Sequence, residues 1–565
     1  MNQDIADILN EMADILEMQG VQWKPNAYKK AARELESLET DFREIYNKDG
    51  ISGLKNLPGI GEHIANKIEE YIKTGKIKAY EKLKKSIPNG VGELLRIPSL
   101  GPKKVWQLVK KAKIHSLKDL KKAIKQGKIK NLKGFGEKSQ SEISKGVSMI
   151  EAGSGKNPIY RVLPLALEIK KNIEKVKGVK KVEIAGSLRR MKEVVGDIDI
   201  LVTSDYPEKV MDVFTKMDGV SRILAKGSTK SAVMFSSIQA DVRVLKPEVF
   251  GAALQYFTGS KEHNVAVRKI AIKKGYKLSE YGLFERTGKL IAAKDEEIIY
   301  KRLGMSYVPP QLRELSGELE AAMKNKIPKL VELNEINGDL HMHTKASDGM
   351  HSIAEMAKAA KEKKYEYIAI TDHSKSEHIA NGLDEKRLSK HLEEIAKTKV
   401  SGLKIFRGSE VDILKNGDLD YDNKTLKQLD IVIASIHSGF KSSKEAMTKR
   451  ICSALQNPYV KILAHPTGRV VLRRNPYEVN LDKVFAAAKE RGIALEINCP
   501  RLDLRDIYVK KAVESGCKLV INTDSHSTDQ LNLMQYGVGI AQRGWAQSKN
   551  IINTLPLKQF EKWLK

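Results

Sequence analysis

The stretch VEIAGSLRRMKEVVGDIDILVT, residues 182–203, decides how the middle of this 565-residue chain folds. An apolar run, Val182–Ala185, meets Gly186-Ser187; a short basic helical segment follows, and then an alternating strand presents Asp197 and Asp199. Strand side chains return to the same face at every second residue, so both carboxylates face one side. A third carboxylate, Asp241, arrives in IQADVRVL, flanked by apolar alternation. Three carboxylates on adjacent strands can hold two divalent cations roughly 3.5–4 Å apart, an arrangement that activates an attacking 3′-oxygen and stabilises a leaving pyrophosphate. Gly186-Ser187 is suited to cradle nucleotide phosphates where the helix starts, with Arg190 as a further donor. An isolated D-x-D is more often a solvated edge strand. Joined to Gly186-Ser187 and to Asp241, it predicts nucleotidyl transfer.

Outward from this core, the charge is uneven. The chain carries +28 overall with 41% hydrophobic residues, so it is a folded, lysine-rich protein and not a basic disordered tail. Residues 1–330 hold 62 basic against 41 acidic residues, a net +21, whereas residues 331–565 hold 37 against 30, a net +7. A polyanion is expected to dock mainly on the front of the chain. The three cysteines, Cys452, Cys499 and Cys517, are odd in number and widely spaced, which suits reduced thiols. With no signal peptide or membrane-spanning apolar run, the expected place is the cytoplasm, in association with the nucleoid.

A phrase recurs within the first 150 residues: LPGIG at Leu57–Gly61, IPSLGPKK at Ile97–Lys104 and LKGFGEK at Leu132–Lys138. A glycine turn that opens a helix leaves backbone N–H groups at the positive end of a dipole, suited to a phosphate. Three such turns, with Lys118, Lys121, Lys122, Lys125, Lys128 and Lys130 beside the last two, predict helix-hairpin-helix contacts to a DNA backbone. The candidates are Gly59, Gly61, Gly101, Lys103, Gly134 and Gly136.

The first hairpin, with KPNAYKKAA (Lys24–Ala32) and LPGIGEHIANKIEEYIKTGK (Leu57–Lys76), resembles the amino-terminal domain of the family X DNA polymerases, best known from DNA polymerase beta. The resemblance implies that Lys67 matches a lysine that forms a Schiff base with an abasic sugar, or else holds the 5′-phosphate. This chain has His63 and Trp23 where the family often has lysine and histidine. YFTGSKEHNVAVR (Tyr256–Arg268) extends the resemblance. It implies that Tyr256, Phe257 and Gly259 pack against the sugar of the incoming nucleotide and that Asn264 and Arg268 contact the nascent pair. Lys261 stands where the family often has aspartate. LGMSYVPPQLRE (Leu303–Glu314) resembles the family's closing segment, so the match runs to about residue 318.

Nine of the twelve histidines lie beyond residue 330, and most of them end apolar runs. YIAITDH ends in His373, LKIFRGSE in Glu410, IVIASIHS at His437, VKILAHP at His465 and LVINTDSH in Asp524 and His526; NGDLHMHTKASDG adds His341, His343 and Asp348. Helical stretches between them predict a β/α barrel with these side chains at the carboxyl ends of its strands. Mixed imidazole and carboxylate ligands suit two or three manganese, zinc or iron ions. His351, His378 and His391 fit no such place and are expected at the surface. This half resembles the polymerase and histidinol phosphatase (PHP) domain, a distorted seven-stranded barrel, and all nine ligand positions of that domain are filled here. The resemblance implies a metal-dependent phosphoesterase. Arg469, the last residue of HPTGR (His465–Arg469), is a candidate to hold a substrate phosphate.

The expected architecture is multidomain α+β and α/β: a helical domain (1–80), a second helix-hairpin-helix unit (81–150), a nucleotidyltransferase palm (151–245), a nascent-pair subdomain (246–318), a linker (319–335) and a PHP barrel (336–565). The resemblance implies a repair polymerase of base excision that fills short gaps with dNTPs and Mg2+ or Mn2+. It also implies a barrel acting as 3′-5′ exonuclease, 3′-end processor or abasic-site endonuclease. A phosphoesterase whose front half only binds DNA is the alternative. Gapped or nicked double-stranded DNA is the expected partner, and the chain, with no spare apolar helix face, is expected to be a monomer.

Overall fold

The computed structural model describes residues 2–37, 42–57, 59–88, 90–95, 97, 100–130, 132, 134–137, 139–140, 143–144, 147, 156–235 and 238–565. Lys138 and the expected boundary at 150/151 lie outside these residues, as do Pro58, Pro98 and Ser99 of the glycine phrases.

The front of the chain is helical. Ile5, Leu9 and Met12 recur at helical spacing on Asn2–Met18 and bury against Ala31, Leu35, Ile64 and Ile68. Each glycine phrase closes by the same turn: Ile60 N–H donates to Leu57 O (3.1 Å), Leu100 N–H to Ile97 O (2.9 Å) and Phe135 N–H to Leu132 O (2.9 Å). Ile60, Leu100 and Phe135 are all buried, so an apolar anchor fixes each turn while the following glycine stays outside.

Five strands form the palm: β1 (Val179–Ile184), β2 (Asp197–Ser204), β3 (Val220–Lys226), β4 (Lys230–Phe235) and β5 (Ile238–Val244), in spatial order β1-β2-β5-β4-β3. Only β2 and β5 run parallel. Ile198, Ile200 and Val202 bury with helices Ile159–Glu174 and Pro207–Thr215, which leaves Asp197 and Asp199 on the opposite face. An antiparallel sheet follows, β6 (Tyr276–Ser279), β7 (Gly282–Glu285) and β8 (Leu290–Ala292).

Seven parallel strands then run in sequence order: β9 (Gly338–Asp339), β10 (Tyr367–Ile370), β11 (Lys404–Asp412), β12 (Ile431–Ser435), β13 (Val460–Leu463), β14 (Ala494–Asn498) and β15 (Lys518–Asn522). A parallel bridge between Met342 and Ser525 joins the first strand to the last and nearly closes the barrel. Phe560, on the terminal helix Leu557–Leu564, stacks on Tyr367 at 4.3 Å in one apolar cluster with Ile431, Ile433 and Val520. That helix packs at the amino ends of the strands, so the carboxyl ends form the mouth.

Segment 319–335 is not a loose linker. It begins within helix Glu318–Met323, buries Leu319 and Val331, and donates Val331 N–H to Ala546 O at 3.0 Å. Its lysines hide this packing in the sequence, because they face outward between the buried apolar positions. One apolar cluster runs from the palm into the barrel.

Candidate active sites

In the palm, Gly186 has φ +62°, and a Cβ there would come within 2.3 Å of Asp199 Oδ2. Only glycine lets this turn lie against β2. Asp199 and Asp241 are register neighbours on the parallel strands β2 and β5, with Asp197 opposite Gln239. Gln239 Nε2 donates to Asp241 Oδ2 at 2.7 Å. Burial, then Asp197 and Asp241, push Asp199 up to about 7. Burial and Asp241 likewise raise Asp197. Arg243 and Arg190 offset this only in part. Three carboxylates held so close against their own repulsion suit divalent cations.

Ser187 Oγ is buried with no hydrogen-bond partner. Arg190 donates from Nε to Glu314 Oε1 at 2.9 Å and from Nη1 to the Thr258 carbonyl. A Cβ on Gly259, where φ is +71°, would sit 3.0 Å from Arg190 Nη1. Tyr256 and Phe257 meet edge to face at 5.1 Å, and the Arg243 guanidinium lies 4.8 Å from the Phe257 ring. Asn264 is turned inward: its Nδ2 donates to Tyr256 O (2.7 Å) and its Oδ1 accepts from Gln255 (2.8 Å). Arg268 Nε donates to Asn264 O at 3.4 Å.

The barrel mouth brings all nine expected histidines and carboxylates together. Glu410 is central, with Oε1 3.0 Å from His465 and 3.3 Å from His437, and Oε2 3.0 Å from His373 and 3.3 Å from His341. His343 Nε2 lies 3.1 Å from Asp524 Oδ1, and His526 Nε2 3.3 Å from Asp348 Oδ2. Burial would raise Glu410, but His437, His341 and His373 hold it well below the usual carboxylate range. His341 Nε2, His343 Nδ1, His373 Nδ1, Glu410 Oε2, His437 Nε2 and His465 Nδ1 are buried without hydrogen-bond partners. Their convergence fits metal ions. Three groups of these residues bring one ligand atom each within 4.8 Å of one another: His343, Asp348, His373 and His526; His341, His343 and Glu410; and His373, Glu410 and His437.

Sequence reasoning missed the groups that hold these ligands. Glu496 accepts from His341 Nδ1 (2.7 Å) and from the His465 backbone N–H (2.9 Å), and Asp412 lies 2.6 Å from His437 Nδ1. Such partners fix tautomer and ring orientation. Two signals were available: Glu496 is a lone carboxylate within an apolar strand, and Asp412 stands two residues beyond Glu410 on the same strand face. Arg501 was also missed; its Nε lies 3.4 Å from Asp524 Oδ2.

Two expectations are corrected. His391 is not at the surface: it is buried, with Nε2 2.8 Å from Asp372 Oδ2. Asp372 also accepts from Thr344 and Ser347, so the pair braces the loop that leads to Asp348. Arg469 does not face the mouth as a phosphate donor but forms two hydrogen bonds to Glu193 of the palm (2.7 and 2.8 Å). A partner 276 positions away cannot be read from local pattern.

At the front, Gly61 and Gly101 precede helices Glu62–Thr74 and Pro102–Ala112, and a Cβ on either would meet nothing within 4 Å. Gly59 and Gly134 have φ +81° and +90°, and the same open space surrounds Gly136. Lys103 is exposed; Lys67 is half-buried and donates to His63 O at 3.2 Å. No helix of the described residues is long and apolar enough to cross a membrane.

Four families match: helix-hairpin-helix domain over residues 1–77, DNA polymerase beta palm over 158–273, DNA polymerase beta thumb over 253–314 and PHP domain over 339–500. A Bacillus subtilis (strain 168) protein called DNA polymerase/3′-5′ exonuclease PolX is 39% identical over all of this chain and 99% of its own length. A probable phosphatase of Thermoanaerobacter sp. (strain X514) is 33% identical over 38% of this chain and 89% of its own length. One from Caldanaerobacter subterraneus is 34% identical over 33% and 75%.

Proposed function

The chain belongs to the family X DNA polymerases that carry helix-hairpin-helix and PHP domains, and on that footing we propose that it fills short gaps in DNA and processes 3′ ends in one molecule. It is a DNA-directed DNA polymerase with a 3′-5′ exonuclease domain. The observation that supports this reading is two clusters in one chain, three palm carboxylates and nine histidines and carboxylates that converge at the barrel mouth.

In the palm, Asp197, Asp199 and Asp241 would hold Mg2+ or Mn2+, and the bound cation would supply charge neutralisation and activation of the attacking 3′-oxygen. Ser187 Oγ is a donor awaiting a phosphate oxygen, and Gly186 lets the backbone approach. Arg190 is pinned beside Gly259, and Tyr256 with Phe257 offers an aromatic edge to the nucleotide sugar. Asn264 acts on Tyr256 through its carbonyl, and Arg268 stands beside it toward the nascent pair.

In the barrel, the nine ligands hold manganese, zinc or iron ions, and Arg501 holds the scissile phosphate from the Asp524 side. The hairpin glycines and Lys103 grip the backbone of gapped or nicked double-stranded DNA, and Lys67 holds the 5′ end, without reading sequence. The protein works as a monomer in the cytoplasm beside the nucleoid.

Separation of function tests the reading. Asp241→Ala abolishes dNTP incorporation and spares 3′ shortening; His341→Ala does the reverse. Loss of both activities in either variant contradicts two independent centres.

A further inference from the structure

Between palm and barrel lies a cavity of about 770 Å³ with walls from both. Ser187, Gly196 and Asp197 form part of the palm side; Arg505, Lys510 and Arg543 come from the barrel. Barrel cations thus share one enclosure with a polymerase carboxylate.

Two buried polar atoms of this lining have no hydrogen-bond partner, Ser187 Oγ from the palm and Arg505 Nε from the barrel. Buried donors are nearly always satisfied, so a pair of orphans around one cavity points to a ligand that bridges them. Both can donate, which suits an anion with several oxygens. Arg505 is held only by a long ion pair. Its Nε is 3.7 Å from Glu193 Oε1, beyond hydrogen-bond range, while Glu193 gives both oxygens to Arg469. Arg543, by contrast, is committed: it bonds Asp506, Glu314 and the Arg190 carbonyl. Lys510 leans on the Trp545 ring at 4.6 Å and bonds the Ser316 carbonyl, which places its ammonium at the cavity wall.

We infer that the barrel completes the polymerase's nucleotide site: Arg505, with Lys510 beside it, binds the β- and γ-phosphates of the incoming nucleotide and the pyrophosphate released from it. The inference rests on the polymerase reading of the palm. When the 3′-hydroxyl gives up its proton to solvent and its oxygen bonds to the α-phosphorus, the α–β anhydride bond breaks and its electron pair leaves on the pyrophosphate oxygen. Charge grows on that group, and Arg505 stands where it can be met.

The test uses the full chain on a gapped duplex. Arg505→Ala raises both the KM for the nucleotide and the inhibition constant of added magnesium pyrophosphate about tenfold, the worth of one charge-assisted hydrogen bond. Arg505→Lys, which keeps the charge and loses Nε, falls between. Glu193→Gln frees Arg505 of its ion-pair partner and lowers both constants, with the denaturant midpoint recorded beside them because the same change weakens the pair with Arg469. A merely bracing Arg505 would make the alanine and glutamine variants move in the same direction, and that result overturns the inference. Titration calorimetry with magnesium pyrophosphate on the same proteins decides independently of turnover. Equal affinity in wild type and Arg505→Ala overturns the inference, whereas weaker pyrophosphate binding in Arg505→Ala, with no extension by wild type, overturns the polymerase reading alone.

Discussion

Glu193 of the palm and Arg469 of the barrel form a two-bonded ion pair, Nη1 to Oε2 at 2.7 Å and Nη2 to Oε1 at 2.8 Å. Glu193 lies in the loop between Ser187 and Asp197, and Arg469 stands shortly after His465. A single contact therefore ties a loop of each active site to the other. Arg543 adds a second tie through Glu314, which also receives Arg190 and Lys192. Burial would raise Glu314, but Arg543, Arg190 and Lys192 bring it to about 2.

Arg469→Ala leaves Glu193, mostly buried, with only the longer ion pair to Arg505 at 3.7 Å. Loss of one partner of such a pair costs roughly 3 kcal/mol, the low end for a broken buried ion pair. The barrel should unfold earlier in denaturant and the palm–barrel seam should yield to protease, while the KM for 3′ shortening stays near wild type. A large rise in that KM with unchanged stability would return Arg469 to the phosphate role.

Gly186→Ala meets both a left-handed backbone and an overlap with Asp199. Strain of roughly 1–3 kcal/mol, relieved only by shifting the Asp199 carboxylate, should cut extension about 10- to 100-fold or more. The exonuclease rate and the circular dichroism spectrum should not change.

Asp199 gives the metal-free protein a pH dependence of known sign. Its folded-state pKa, about 7, is above the ordinary 3.8 because of burial, Asp197 and Asp241. A raised carboxyl contributes stability that is complete below its ordinary pKa and lost as pH rises through the folded value. In chelator, the unfolding midpoint should fall between about pH 4 and 7. Asp199→Asn should flatten that fall and raise the midpoint at pH 8 by a few degrees, although it abolishes extension. A variant curve parallel to wild type would show that Asp199 is not the group responsible.

Glu496→Gln and His391→Ala remove supports of the proposed metal-binding residues, not those residues themselves. Losing a hydrogen-bond partner that orients a metal-binding side chain typically costs 10- to 100-fold in metal affinity or activity. Manganese titration of exonuclease activity should show the weaker binding, and high manganese should restore part of the rate. Variants as active as wild type at limiting manganese would remove both residues from the site.

The palm strand Asp197–Ser204 was legible because period-2 alternation in DIDILV separates Ile198 and Ile200 from Asp197 and Asp199 without ambiguity. The barrel histidines were legible for a related reason: they end strands so apolar that a polar residue there needs a purpose. His391 was misread although its helix carries the signal: Leu388, His391, Leu392 and Ile395 recur at helical spacing on one buried face, and only the partner Asp372 could not be read locally. Glu193, Arg469, Arg505 and Arg543 were opaque too. Their meaning depends on how palm and barrel dock, and docking leaves no periodicity in either segment.

The most direct measurement places the purified protein on a one-nucleotide gapped duplex bearing a 5′-phosphate, with manganese and the complementary dNTP in one reaction and manganese alone in another. One-nucleotide extension in the first and 3′ shortening in the second are the results expected of two working centres in one chain. Shortening without extension would contradict the account and leave a nuclease whose palm only holds DNA.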